Sequence, residues 1–257
     1  MTEEIGIEIQ DGVLTLSLRR PAQRNALNLA MYEALASALE HAAENPELRA
    51  ILIHGEGGAF TSGNDLNDFA SAAFNFDEGH PLIRFMHGLY LCPLPVVAAV
   101  EGVAVGIGTT LLLHCDFVYA HPDAVFQLPF VNLGLCPEYA SSLFLPQRAG
   151  HVRAAELLML GEKFSAQEAE RCALLNAVVE HPLEIAQATC AKLAKKAPEA
   201  IKITKALLKS PMKEQGLKVM QEEGALFLAR LKSAEFSEAV TAFFEKREAD
   251  FSKLNSK

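Results

Sequence analysis

The chain has 257 residues, of which 50% are hydrophobic and 21% charged, which is the balance of an ordinary folded protein. Its net charge of −9 argues against a broad surface for nucleic acid or anionic membranes, since such partners require an excess of Lys and Arg. The five cysteines include no Cys-x-x-Cys pair, so neither a disulfide framework nor a zinc ribbon is expected.

Predicted strands and helices alternate along the first half of the chain. Residues 5–18 alternate in polarity around Asp11-Gly12, which predicts a β-hairpin. Asn28 has the side chain of an N-cap, and an apolar face follows it over 29–43, so we expect a helix there. Short apolar runs bounded by turn residues predict further strands at 50–54, 96–100, 117–120 and 125–128.

Helices dominate the remainder of the sequence. A polar loop follows the strand at 50–54, and the glycine-rich segment 102–115 predicts a turn into a buried helix. One short strand is expected at 177–180. The other predicted helices are 81–91, 152–159, 166–174, 182–196, 198–208, 213–231 and 234–248. This order predicts an α/β core with a helical C-terminal extension.

Two glycine-containing turns, Gly58–Leu66 and Gly102–Thr110, each follow a predicted buried strand. Small residues there let backbone N–H groups at a helix start point at a ligand, although a tight turn with a helix cap has the same pattern. The second turn lacks GxGxxG spacing, so a dinucleotide fold is not expected. The segment 20–28, taken alone, is interpreted as a loop with a helix cap.

Glu138 is a lone carboxylate among apolar and small residues in the segment 128–142. Such a group is either a solvent-facing helix cap or a base whose pKa is raised by its surroundings. The spacing alone leaves both interpretations open. The eight histidines show no HxH or HxxxH spacing, so no metal site is expected.

Together, these four segments resemble the crotonase (enoyl-CoA hydratase/isomerase) superfamily in order and spacing. The most specific parts are Ala59–Leu66, which matches AFxSGxDL, and Gly102–Gly108, which matches GxAxGxG about 40 residues further on. The resemblance covers nearly the whole chain and implies a crotonase-like spiral of ββα units. It also implies an α/β core over 1–200 and a helical trimerisation and lid region over 201–257.

In that family the two turns form an oxyanion hole for the thioester carbonyl of an acyl-CoA. Matched by position, the donors are the backbone N–H groups of Asn64 and Ile107, and one such donor is typically worth about 3–4 kcal/mol. Coenzyme A is part of the substrate, so no separate cofactor is implied. The substrate-binding residues that the resemblance predicts are Arg24, Ala26, Leu27, Ala59, Ser62, Gly63, Asn64, Asp65, Leu66, Gly106, Ile107, Phe130 and Leu135.

The family's reactions differ in the number of catalytic carboxylates that they use, so the carboxylates of this chain indicate which reaction to expect. The family's hydratases use two glutamates, but the matching positions hold Thr110 and Phe130, and neither takes a proton from water. Glu138 matches the single catalytic base of the peroxisomal-type delta-3,delta-2-enoyl-CoA isomerases. Those isomerases carry glycine next, where this chain has Tyr139, so the acyl chain length stays open. The resemblance thus implies an isomerase that moves a 3-enoyl-CoA double bond to the 2-trans position in fatty-acid β-oxidation.

Two alternatives remain open: an enoyl-CoA hydratase or other crotonase-type lyase, and an inactive acyl-CoA-binding homologue. The resemblance also implies a homotrimer or a hexamer formed as a dimer of trimers. The first residues contain no apolar signal core, and no stretch of about 18 apolar residues occurs. We therefore expect a cytoplasmic protein with neither membrane nor nucleic-acid partners.

Overall fold

The computed structural model describes residues 2–67 and 77–254. Part of the predicted polar loop, 68–76, lies outside the described residues, as do Met1 and 255–257. The described strands are β1 (Ile5–Gln10), β2 (Val13–Leu18), β3 (Ala50–Gly55), β4 (Val96–Val100), β5 (Val103–Val105), β6 (Phe117–Ala120), β7 (Val125–Gln127), β8 (Lys163–Ser165) and β9 (Ala177–Val178). The described helices are α1 (Leu29–Glu44), α2 (Pro81–Leu91), α3 (Ile107–Thr110), α4 (Ser141–Ala149), α5 (His151–Leu160), α6 (Ala166–Arg171), α7 (Pro182–Ala194), α8 (Pro198–Lys209), α9 (Lys213–Leu231) and α10 (Ala234–Glu245). Short 3-10 helices lie at Pro21–Gln23, Leu111–His114, Val131–Leu133, Ser210–Met212 and Phe251–Lys253.

Six strands form the central sheet in the order β1-β2-β3-β4-β6-β9. The β1-β2 hairpin is antiparallel, whereas the later pairs are parallel and are joined by crossovers. A second sheet has the order β5-β7-β8. Because β3 and β4 are parallel neighbours, the turns that follow them leave the sheet at the same edge.

The strands at the centre of the sheet are buried on both faces. In β3, Ile51 and Ile53 belong to the main hydrophobic core, while Leu52 belongs to a second cluster that includes Ala186 and Cys190 of α7. Successive side chains point to opposite faces of a strand, so a strand covered on both faces needs an unbroken apolar run. This explains why the sequence of β3 is apolar over Ala50–Ile53 rather than alternating.

The helices α8, α9 and α10 form the C-terminal extension. Helix α9 directs Met220, Glu223 and Phe227 inward, towards the core. Large apolar side chains on the outer faces of the extension remain exposed: Ile203, Leu207, Leu208, Leu226, Phe243 and Phe244. None of the helices in the described ranges is long and apolar enough to cross a membrane.

The predicted α/β order is confirmed, and the differences lie in short or irregular elements. Strand β5 was not predicted because it lies within the glycine-rich segment 102–115, and β8 was not predicted because Lys163–Ser165 contains a single apolar side chain. Helix α4 was also missed: it begins after two residues in the left-handed conformation and contains Pro146, so it lacks both a start signal and a regular interior. Helix α10 ends at Glu245 instead of 248 because Lys246 adopts the left-handed conformation.

Candidate active site

The two glycine turns after β3 and β4 lie side by side. The Thr61 N–H donates to the carbonyl oxygen of Val103 (2.9 Å), and the Val105 N–H donates to the carbonyl oxygen of Thr61 (3.1 Å). Gly63 has a φ of +90°, and a Cβ there would lie 2.6 Å from the carbonyl oxygen of Val105. A side chain at position 63 would therefore push the two turns apart.

The residues after the turning glycines carry two free backbone donors. Asn64 follows Gly63, and Ile107 follows Gly106, whose φ of 56° and ψ of −120° favour glycine. Within the described ranges, neither the Asn64 N–H nor the Ile107 N–H has an acceptor. Ile107 is the first residue of α3, where an N–H has no intrahelical partner. The predicted oxyanion donors are thus both available to a ligand.

The loop at 20–28 is tied to the first of these turns. The Ser62 N–H donates to the carbonyl oxygen of Arg24 (2.9 Å), and the Asp65 N–H donates to that of Leu27 (2.9 Å). Asp65 also pairs with Arg20 at 2.7 Å. Leu27 is buried, whereas the Arg24 side chain is exposed and has its charge at the surface. Other predicted substrate-binding residues here are partly or fully buried: Ala26, Ala59, Gly63, Asn64 and Leu66.

Glu138 is buried next to Thr110 and is only 7% exposed. The Thr110 hydroxyl donates to Oε1 of Glu138 at 2.5 Å. Burial raises the pKa of Glu138 to about 8; the Thr110 hydrogen bond opposes this rise and the charge of Glu223 adds to it. Of the two interpretations of Glu138, the structure excludes the solvent-facing helix cap.

Glu138 and the Asn64 residue of the first turn line one small cavity of about 20 Å³. This volume holds about one water molecule, so an acyl chain enters only if the surrounding side chains move apart. Its apolar lining comes from α2 and α9 together with the residue after Glu138: Leu82, Ile83, Met86, Tyr139, Met220, Gly224 and Phe227. Phe130 and Leu135, predicted to bind substrate, are buried in the main core and do not belong to this described lining.

A carboxylate from α9 holds the chain immediately after Glu138. Glu223 accepts hydrogen bonds from the Ala140 N–H (2.6 Å), the Ser142 N–H (3.0 Å) and the Ser142 hydroxyl. These N–H groups lie at the start of α4, where they have no intrahelical partner. Glu223 of α9 therefore caps the start of α4. It holds in place the backbone that immediately follows Glu138.

Tyr139 anchors the same loop on its other side. Its side chain is fully buried, and its hydroxyl donates to the carbonyl oxygen of Met86 in α2 at 2.8 Å. The carbonyl oxygen of Tyr139 lies 2.8 Å from Nε2 of His114. Burial, followed by the charge of Lys209, lowers the pKa of His114 well below its usual range. The His114 ring is therefore neutral and donates from Nε2 to Tyr139.

Comparison with known proteins identifies the family. The enoyl-CoA hydratase/isomerase family matches residues 8–254 of the chain. The chain belongs to this family. Its relatives include the "Probable enoyl-CoA hydratase" of Rhodobacter capsulatus, 37% identical over 96% of this chain and 97% of that protein. "Enoyl-CoA delta isomerase 2" of Rattus norvegicus is 35% identical over 93% of this chain, which spans 62% of the rat protein.

Similar solved structures confirm the crotonase-like fold. Pseudomonas aeruginosa OdaA has a TM-score of 0.92 and 46% identity over 94% of this chain and 99% of that chain. An enoyl-CoA hydratase/isomerase from Pseudoalteromonas atlantica T6c has a TM-score of 0.93 and 39% identity over 97% of this chain and 100% of that chain. Members of the family act on acyl-CoA thioesters.

The backbone immediately after Glu138 adopts a conformation that is unusual for residues other than glycine. Tyr139 has a φ of 60° and Ala140 a φ of 54°, both in the left-handed region that favours glycine. A bulky residue there costs about 1–2 kcal/mol. The glycine that the resemblance implies at this position would adopt the conformation without that cost. Here the strain is offset by the burial of the Tyr139 ring and by its hydrogen bond to Met86.

Sequence reasoning missed two side chains that support Glu138. Thr110 was recognised as the replacement for a hydratase glutamate, but its bond to Glu138 links positions 28 residues apart. Glu223 was not singled out, although the sequence contains a signal for it. Glu223 is three residues after Met220 and four before Phe227, so it occupies the apolar face of α9. An acid on such a face predicts a buried carboxylate with a specific partner.

Proposed function

We propose that the protein is an acyl-CoA isomerase that moves the double bond of a 3-enoyl-CoA to the 2-trans position. One observation carries this proposal: among the described residues, Glu138 is the only carboxylate that lines the cavity it shares with Asn64. Isomerisation needs one group to remove a proton and return it nearby. Hydration needs two groups to activate water and protonate the double bond.

The proposed reaction begins with loss of a proton from carbon 2 of the substrate. Glu138 accepts this proton, and the C2–H electron pair forms a dienolate whose negative charge lies on the thioester oxygen. The N–H groups of Asn64 and Ile107 donate to that oxygen and lower the barrier. The Glu138 acid then returns the proton to carbon 4, which yields the conjugated 2-trans-enoyl-CoA.

The raised pKa of Glu138 suits this double role. A group that acts first as a base and then as an acid works best when its pKa lies near the working pH. An exposed glutamate has a pKa near 4.5. It would be a weaker base in the first step and a stronger acid in the second step than the buried Glu138. Burial brings the pKa of Glu138 to about 8, so that the ionised form, which accepts the proton, and the acid form, which returns it, are both populated within the range around that pH.

Hydratase names are more common among the relatives than isomerase names, although one relative is called a delta isomerase. The residues of this chain favour isomerisation. At the two positions where the hydratases carry glutamates, Thr110 and Phe130 have no group that ionises to a base near neutral pH. Phe130 is also buried, away from the cavity of Glu138.

We also propose where coenzyme A binds, how the protein assembles and where in the cell it acts. The loop 20–28 and the turn at 58–66 bind the CoA moiety, with Arg24 near a phosphate, and no other cofactor is required. The exposed apolar side chains of α8, α9 and α10 support residues 201–257 as a trimerisation and lid region in a homotrimer or hexamer. We place this isomerase in cytoplasmic fatty-acid β-oxidation.

A paired assay tests the proposed reaction. Purified protein receives either 3-hexenoyl-CoA or crotonyl-CoA, and the absorbance of the conjugated enoyl thioester is followed. We expect kcat/KM for isomerisation to exceed that for hydration by about 100-fold or more, because an acid–base pair typically contributes 10²–10⁴-fold and the hydratase pair is missing here. Faster consumption of crotonyl-CoA would identify a hydratase. CoA binding without either reaction would identify an inactive homologue.

A further inference from the structure

Thr110 occupies a fully buried position at the end of α3, the helix that begins with the oxyanion donor Ile107. Its hydroxyl has two acceptors within reach: Oε1 of Glu138 at 2.5 Å and the carbonyl oxygen of Ile107 at 3.5 Å. A hydroxyl group has one proton to donate, and the shorter contact is much the better hydrogen bond. The Thr110 proton is therefore directed at Glu138.

The two oxygens of the Glu138 carboxyl group are not equivalent. Oε1 accepts the Thr110 hydrogen bond, while Oε2 accepts no hydrogen bond from the described residues. The other titratable groups near this carboxyl are Glu223, Tyr139 and Cys136, whose thiol pKa is raised by burial. Glu223 is engaged by the start of α4, and the Tyr139 hydroxyl donates to Met86. Neither competes for the free oxygen.

The hydroxyl of the neighbouring Thr109 does not contact Glu138 and binds backbone carbonyl groups instead. Its hydroxyl donates to the carbonyl oxygen of Ala104 at 2.6 Å and lies 3.2 Å from that of Gln127. It therefore fastens the second glycine turn to β5 and β7. The Thr109-Thr110 pair thus uses one hydroxyl to hold the oxyanion turn and the other to hold the carboxylate, which fixes the base relative to the oxyanion hole.

We propose that Thr110 is a positioning residue that holds Oε1 of Glu138 and leaves Oε2 as the one oxygen that carries the proton. This inference rests on the proposed isomerase function. In the first step the C2–H bond breaks, an O–H bond forms at Oε2, and the electron pair enters the dienolate. In the second step the Oε2–H bond breaks and a C4–H bond forms. Oε1 accepts from Thr110 throughout, so both transfers occur on one face of the acyl chain.

The test compares Thr110→Val, Thr110→Ser and wild type with 3-hexenoyl-CoA over a range of pH. Valine keeps the shape of threonine but cannot donate, so we expect kcat at pH 7 to fall about tenfold or more with little change in KM. The hydrogen bond favours the ionised carboxylate, so its loss should move the pKa of kcat upward. Thr110→Ser keeps the hydroxyl group, so its kcat at pH 7 and its pKa of kcat should be close to those of the wild type. Thr189→Val, a matched change in α7 at a residue that does not line the cavity of Glu138, should leave both kcat and its pKa unchanged.

A second readout does not depend on turnover. The infrared band of the protonated Glu138 carboxyl, assigned by its absence in Glu138→Gln, is titrated in Thr110→Val and wild type. An upward shift in the valine variant supports the inference. An unchanged titration together with an unchanged pH profile overturns it, even if isomerisation is fast. Absence of isomerisation in the wild type would overturn the proposed function instead, while the infrared titration would still report whether Thr110 holds Oε1.

Discussion

Glu138→Gln is expected to lower kcat for 3-hexenoyl-CoA by about 1000-fold or more, since general acid–base catalysis typically contributes 10²–10⁴-fold and one group here performs both steps. Glutamine has the same shape, and its side-chain oxygen still accepts from Thr110. The cavity and the oxyanion turns stay intact, so KM should change little. Steady-state kinetics of the variant and the wild type measure both quantities.

The same substitution should stabilise the protein in alkaline solution. The folded state holds the Glu138 proton up to a pH of about 8, whereas an unfolded glutamate loses it near 4.5. The stability gained from holding that proton is fully present below pH 4.5 and is lost as pH rises through 8. Glutamine carries no charge at any of these values. Melting temperatures should therefore be similar at pH 5 and higher for the variant at pH 9.

Glu162→Gln serves as the control, because Glu162 is exposed and lies apart from the cavity of Glu138. It should alter neither kcat nor the difference in melting temperature between the two pH values. If Glu138→Gln kept most of the isomerase activity, another proton carrier would be required and the assignment of Glu138 would be wrong.

Gly63→Ala is expected to lower kcat by about 100- to 1000-fold, the usual loss when one oxyanion donor is removed. The added Cβ would lie 2.6 Å from the carbonyl oxygen of Val105, and a φ of +90° is strained for alanine. Backbone at the first turn must shift, and the N–H of Asn64 shifts with it. Kinetics with 3-hexenoyl-CoA measure the loss.

A second glycine separates this effect from backbone strain alone. Gly150 has a φ of +79°, and a Cβ there would meet no atom within 4 Å. Gly150→Ala should therefore lower the melting temperature but leave kcat near that of the wild type. Equal losses of kcat in Gly150→Ala and Gly63→Ala would contradict a specific role for the first turn.

The local parts of the site were predictable from the sequence. The two turns could be found because a buried strand, a glycine and a helix start are consecutive in the chain. The resemblance to the crotonase superfamily then implied Asn64 and Ile107 as the donors. Glu138 stood out as a lone carboxylate in an apolar segment. The parallel order of β3 and β4, which makes the turns neighbours, is also visible in their unbroken apolar runs.

The surroundings of Glu138 were not predictable in this way. Phe130 and Leu135, near it in sequence, were predicted to bind substrate, but the described cavity of Glu138 is lined from α2 and α9 instead. Which helix covers a carboxylate depends on how distant elements pack, and periodicity gives only the face that each helix buries. The Glu223 cap was not predicted for the same reason, because Glu223 accepts from Ala140 and Ser142, which lie 83 and 81 positions before it in the chain.

The pH dependence of kcat/KM with 3-hexenoyl-CoA tests the central claim most directly. It reports the ionisation of the free enzyme's base, and an enzyme-free blank corrects for thioester hydrolysis. Because the base acts ionised, we predict that kcat/KM rises tenfold per pH unit and levels off above a pKa of about 8. A profile that is flat from pH 6 to 9 would contradict Glu138 as the buried base.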